Sequence, residues 1–141
     1  MPTELSKSVE NGNGYAGDIS PQQAFEWWRG QQAVLVDIRT QAERAWVGFI
    51  PGVLGIEWKI WPGMAVNADF GAQLQVAVPP GSTVMLLCRS GIRSIPAAQK
   101  AQALGFRAFN ILEGFEGDPD AQSHRSTVGG WRKLGLPWQQ N

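Results

Sequence analysis

The segment Cys88-Arg89-Ser90-Gly91-Ile92-Arg93-Ser94 contains the only cysteine of the chain and two arginines within five residues of it. It follows the apolar run Val84-Met85-Leu86-Leu87 and precedes a helical pattern from Ser94 to Leu104. A buried strand that delivers a thiol into a tight loop at a helix start turns backbone N–H groups toward the sulfur. The helix dipole adds partial positive charge there. That setting favours a thiolate, the nucleophilic form of cysteine. The two guanidinium groups make the loop fit for an anionic substrate. A buried, inert core cysteine is the plainer reading of a lone thiol, but the flanking arginines argue against it.

The surrounding elements must hold this loop. Ser20 and Pro21 predict a helix start for residues 22–29, with Ala24, Phe25 and Trp28 inward and Gly30 closing it. Ala33 to Val36 is a continuous apolar run, as in a strand covered on both faces. It runs into Asp37-Ile38-Arg39, and Thr40 with Glu43 has the capping-box pattern. Ile50-Pro51-Gly52 predicts a turn, residues 53–57 a short strand, and residues 68–76 a helix capped by Asn67 and weakened by Gly71. Ala108 to Leu112 predicts a further strand, residues 115–130 a long loop, and residues 131–134 a last helical turn. Alternating strands and helices imply a parallel α/β sheet with helices on both faces. Such sheets bind ligands at the carboxyl ends of their strands, where Cys88 falls.

Composition narrows the options. The 141 residues hold 12 Lys+Arg and 12 Asp+Glu, so no basic field points to nucleic acid or an anionic membrane. No apolar run approaches bilayer length and the N-terminus has no apolar leader core, so a cytoplasmic location is expected. A single cysteine makes no internal disulfide and no multi-cysteine metal site; no metal or cofactor is expected. One domain is expected over residues 18–141, after a flexible polar tail over residues 1–17 that contains Asn11-Gly12-Asn13-Gly14. Core packing is the expected role of Trp46, Trp58 and Trp61.

Taken together, the landmarks resemble those of the single-domain rhodanese-like sulfurtransferases. Asp37-Ile38-Arg39 with Glu43 resembles the family's Asp-x-Arg…Glu signature. Gly48-Phe49-Ile50-Pro51-Gly52 resembles its Gly-x-Ile-Pro-Gly turn, the Cys88–Ser94 heptapeptide its active-site loop, and Leu112-Glu113-Gly114 and Gly135-Leu136-Pro137 its closing segments. The resemblance runs from about Ser20 to Trp138. It implies a mostly parallel sheet of about five strands and a transfer of sulfane sulfur, from thiosulfate or a similar anion to cyanide or a thiol, through a Cys88 persulfide. It also implies that residues Arg89, Ser90, Gly91, Ile92, Arg93 and Ser94 cradle the substrate. Arg93 is the first choice for the donor anion and Arg89 the second. Asp37, Arg39 and Glu43 are expected behind the loop, with Glu43 capping its helix and pairing with Arg39. The chain departs from the family pattern at Ile92, often Asn, at Phe115, where a second Gly is usual, and in an inserted loop over residues 116–130. That insertion holds His124, Arg125, Asp118 and Asp120. His124 and Arg125 are expected to line the site; the aspartates read as turn formers.

Two other readings compete. A persulfide carrier that docks on a protein thiol needs the same loop. A cysteine-dependent phosphatase or arsenate reductase favours Cys-x5-Arg, one residue longer than Cys88-x4-Arg93, because a tetrahedral oxyanion needs more room. The expected partners are small molecules or a protein thiol, with no nucleic acid or membrane, and a monomer is expected.

Overall fold

The structure, a computed structural model, describes residues 14–140. Its elements are β1 (Gly17–Ile19), α1 (Pro21–Arg29), β2 (Val34–Asp37), α2 (Gln41–Trp46), β3 (Leu54–Gly55), β4 (Lys59–Ile60), β5 (Ala65–Val66), α3 (Phe70–Ala77), β6 (Thr83–Leu87), α4 (Ser94–Ala103) and β7 (Arg107–Ile111). Five strands form one parallel sheet in the order β1-β7-β6-β2-β3. Strands β4 and β5 pair as a separate antiparallel hairpin. No helix among the described residues is long and apolar enough to cross a membrane.

Strand alternation sorts the core into two layers. Val36, Ile38, Val84, Leu86, Cys88 and Ala108 face α3 and α4, where they meet Phe70, Leu74, Ala97, Ala98 and Ala101. Leu35, Met85, Leu87, Phe109 and Ile111 face α1 and the C-terminal segment, meeting Ala24, Trp27, Phe115 and Trp131. Cys88 continues the even-numbered row of β6 past the end of the strand. Its side chain therefore lies on the α4 side, over the start of that helix.

Helix α2 starts as expected. The Thr40 hydroxyl accepts from Glu43 N, and Glu43 Oε1 accepts from Thr40 N. Several expectations need correction. Residues 14–17 belong to the fold rather than to a tail: Tyr15 and Ala16 are buried, and β1 pairs with β7 from Gly17 onward. The three-residue β1 is too short to carry a visible sequence period. The remainder of the expected tail, residues 1–13, lies outside the described residues. In α1 the buried aromatic is Trp27, with Phe25 and Trp28 half-buried, because β2 and β7 meet the helix one residue around from the predicted stripe. Asn67 does not cap α3; its Oδ1 accepts from Asp69 N in a turn ahead of the helix, and its Nδ2 donates to Glu57 O. Trp46 and Trp61 are exposed, at 81% and 61%, and of the three tryptophans only Trp58 packs inward, edge-on against Phe70.

Candidate active site

The β6 strand ends at Leu87, and the next six residues turn around the Cys88 sulfur before α4 begins. Gly91 N donates to Cys88 Sγ at 3.2 Å and Ser94 N at 3.3 Å. Helix α4 has no side-chain N-cap, so the sulfur takes that role for a first-turn N–H. Gly91 has φ +95°, a left-handed angle, and a Cβ there would stand 2.9 Å from Glu113 N. Only glycine meets both demands. The turn after β7 holds the loop from below. Phe115 N donates to Cys88 O at 2.8 Å and Glu116 N to Arg89 O at 2.9 Å. Gly114 lies so close under the loop that a Cβ would overlap the Cys88 carbonyl oxygen.

The braces behind the loop differ in detail from expectation. Arg39 is fully buried. It donates through Nε and Nη2 to Asp37 and through Nη2 to Gly48 O, and stacks on Phe115 at 4.0 Å. Phe115, where the family's second glycine is usual, thus gives this guanidinium a π face. Arg39 ties β2 to the turn that supports Cys88 without reaching the cavity. Glu43 does not pair with Arg39. It takes Arg93 in a bidentate pair, at 2.6 and 2.8 Å. Burial raises the Glu43 carboxyl, but the hydrogen bonds from Arg93 and Thr40 and the Arg93 charge outweigh it and hold the group down at about 2. The same hydrogen bond with Glu43 raises Arg93 further above its ordinary value, against the opposing effect of burial.

A cavity of about 480 Å³ opens over the sulfur, lined by Trp58, Lys59, Cys88, Arg89, Ser90, Ile92, Arg93, Pro96 and Arg125. Its lining carries four cations and no carboxylate. Arg93 is neutralised by Glu43, and Arg89 stands 3.3 Å from Glu116. Among the described residues, Lys59 and Arg125 have no carboxylate partner and bring the uncompensated charge. Nothing in the sequence singles out Lys59, because no motif marks the β4–β5 hairpin as a cavity wall.

The inserted loop is closed at its base. Ser126 N donates to Glu116 O at 2.7 Å, Gly130 N to Glu113 Oε1 at 2.9 Å, and Trp131 N to Gly114 O at 2.9 Å. Arg125 Nη1 donates to Gly117 O at 2.7 Å, which folds that side chain back toward the cavity. His124 is exposed and outside the cavity lining. Its N–H is held by Asp120 Oδ1, which also accepts from Gln122 N, while Asp120 Oδ2 accepts from Thr127 Oγ1. Those hydrogen bonds hold the Asp120 carboxyl below its ordinary value. Asp120 is therefore a turn former, as its composition predicts, and Asp118 is exposed outside the cavity.

Comparison with known proteins gives the family and the fold. The family described as "Rhodanese-like domain" matches residues 20–118. The crystal structure of Rv0390 from M. tuberculosis is 44% identical, with a TM-score of 0.82, over 90% of this chain and 99% of that one. An uncharacterized protein of Rickettsia prowazekii, RP600, is 34% identical over 110 residues, 76% of this chain and 83% of its own. A protein of unknown function from Rhodopseudomonas palustris, described as a possible tyrosine phosphatase, shares the fold with a TM-score of 0.60 at 20% identity, over 98% of this chain and 92% of that one.

Proposed function

We propose, since the chain belongs to the rhodanese-like domain family, that it is a sulfurtransferase in which Cys88 carries the sulfur as a persulfide. One observation carries this reading. The Cys88 sulfur sits in a loop whose Gly91 and Ser94 N–H groups point at it, below a cavity with four cations and no carboxylate in its lining. Thiosulfate is the donor that suits these charges. The Cys88 thiolate attacks the outer sulfur of thiosulfate. A new S–S bond forms to Sγ, and the donor's S–S bond breaks with its electron pair leaving on sulfite. The persulfide anion is then taken by a nucleophile. With cyanide, the carbon bonds the outer sulfur, thiocyanate departs, and the Cys88 thiolate returns. The loop N–H groups stabilise the sulfur anion at both ends of the cycle.

The same geometry orders the anion contacts. Arg93 already spends both nitrogens of its fork on Glu43, so its main part is to brace α2 against the loop. Lys59 and Arg125 are better placed to hold a dianion. A phosphatase reading gains nothing here. The cavity lining supplies no carboxylate to protonate a leaving group, and both aspartates of the insertion lie outside it.

Intact-protein mass spectrometry after brief exposure to thiosulfate tests the proposal. The expected result is a gain of one sulfur atom, absent in Cys88→Ser and removed by cyanide. A wild-type chain that gains no sulfur from thiosulfate refutes that donor, and transfer from another sulfane donor to a protein thiol would then favour the carrier reading.

A further inference from the structure

Thiosulfate and cyanide need only the cavity above Cys88, yet exposed apolar side chains gather at its rim. Ile92, which lines the cavity from the cysteine loop, is 69% exposed. Lys59 lines it from the β4–β5 hairpin, and its cross-strand partner is Val66, 55% exposed. Directly opposed residues of an antiparallel pair present their side chains on one face, so Val66 stands beside Lys59 on the cavity side. Trp61, at 61% exposure, opens the hairpin turn two residues on from Lys59. That spacing keeps it within about 7 Å along the chain.

Single exposed apolar side chains are ordinary on a protein surface. Trp46 on α2 and Val76 on α3 are of that kind, exposed and outside the cavity lining. The rim differs in two respects. Its apolar groups come from two chain segments that meet at one opening, and they include a tryptophan, a side chain enriched at the energetic centres of protein interfaces. The opening is also electropositive. The nearby carboxylates are already paired, Glu43 with Arg93 and Glu116 with Arg89, which leaves Lys59 and Arg125 uncompensated. A small anion uses the cations and leaves Val66 and Trp61 uncovered. A lipid surface uses the cations and the apolar groups but has no use for the sulfur between them. A protein that brings a thiol, carboxylates and an apolar side chain together uses all three.

We infer that this rim docks a protein, and that the acceptor of the Cys88 sulfur is a cysteine in an acidic segment of that partner with an apolar residue beside it. The inference rests on the persulfide reading above. Carboxylates of the segment meet Lys59 and Arg125, and its apolar residue covers Ile92, Val66 and Trp61. The partner's thiol loses its proton to solvent, and the thiolate attacks the outer sulfur of the Cys88 persulfide. An S–S bond forms to the partner. The bond to Cys88 Sγ breaks with its electron pair returning to Sγ, and the partner leaves as the persulfide. No oxidant or reductant enters.

Binding is read first, on the full chain carrying Cys88→Ser, so that no sulfur chemistry intervenes. The probe is a fluorescein-labelled peptide with its cysteine set among leucines and glutamates; two companions replace the glutamates by lysine or the leucines by serine. The acidic apolar peptide should bind about tenfold more tightly than either companion, and less tightly as salt rises. Trp61→Ser and Val66→Ser should each weaken it about fivefold, and Trp46→Ser by less than about twofold. Equal binding of the three peptides, or an equal effect of Trp46→Ser, would overturn the inference. So would binding of mixed phosphatidylcholine–phosphatidylglycerol vesicles in place of the peptide, which assigns the rim to a membrane. Transfer is read second, from the sulfur-loaded wild-type cysteine loop to the acidic peptide and to N-acetylcysteine. Trp61→Ser and Val66→Ser should slow the first about fivefold and leave the second within about twofold. Equal slowing of both would mean that the hairpin shapes the cavity, and would refute docking. A chain that takes up no sulfur refutes the persulfide reading alone, since the peptide comparison still decides the surface.

Discussion

At the scale of single residues, the charge partner of a side chain matters more than its type. Arg93 looks like the anion binder because it closes the loop motif, yet it is occupied by Glu43. Arg125→Ala and Lys59→Ala are each expected to raise KM for thiosulfate roughly tenfold, the loss of one charge-assisted contact. Steady-state kinetics at two salt concentrations checks this, since the remaining affinity should depend less on ionic strength in either variant. The Glu43 clamp makes a pH prediction. Its carboxyl sits at about 2 in the folded chain against an ordinary value of 4.5. A depressed acid contributes stability that is fully present above its unfolded value and is lost as pH falls through the folded one. Glu43→Gln should therefore destabilise by about 1–3 kcal/mol at pH 7. The gap to wild type should close between pH 4.5 and about 2 in denaturant titrations. A gap that persists at pH 2 would mean that the clamp acts by shape and not by charge.

At the scale of elements, the sulfur loop is specified by what lies beneath it. Gly91 and Gly105 have similar left-handed angles, φ +95° and +100°, but different surroundings. A Cβ on Gly91 meets the backbone of Glu113 and Ile111, whereas one on Gly105 meets nothing within 4 Å. Gly105→Ala should cost only the backbone term, about 1 kcal/mol. Gly91→Ala adds the displacement of the β7 turn, should cost roughly 2–4 kcal/mol, and should slow persulfide formation. Thermal unfolding and the thiosulfate mass shift, run on both variants, separate the two contributions.

At the scale of the whole molecule, the sheet divides the core into two layers, and the C-terminal segment completes the one away from Cys88. Trp131 is fully buried there, ringed by Phe25 and Trp28, and its Nε1 donates to Pro137 O at 2.7 Å. Its N–H also closes the base of the insertion on Gly114 O. Trp131→Ala should therefore cost about 3–5 kcal/mol by cavity formation. It should also loosen residues 116–130, which amide hydrogen exchange would register as lost protection at Trp131, Ser126 and Gly130.

The sequence by itself determined the class of fold, the position of the thiol and much of its cradle. Those features are local: an apolar strand, a seven-residue loop, a helix start and a capping box each state their geometry in consecutive residues. It could not show that residues 17–19 join the sheet, because a three-residue edge strand carries no readable period. Nor could it choose a partner for Glu43, find Lys59 at the cavity, or separate Arg125 from its neighbour His124. These depend on which side chains from distant segments share one small volume. Asn110 shows the limit most clearly. In sequence it is one polar residue in an apolar strand. Only the parallel register of β1, β7 and β6 sets it between Asp18 and Ser94, whose Oγ in turn lies 3.1 Å from Cys88 Sγ.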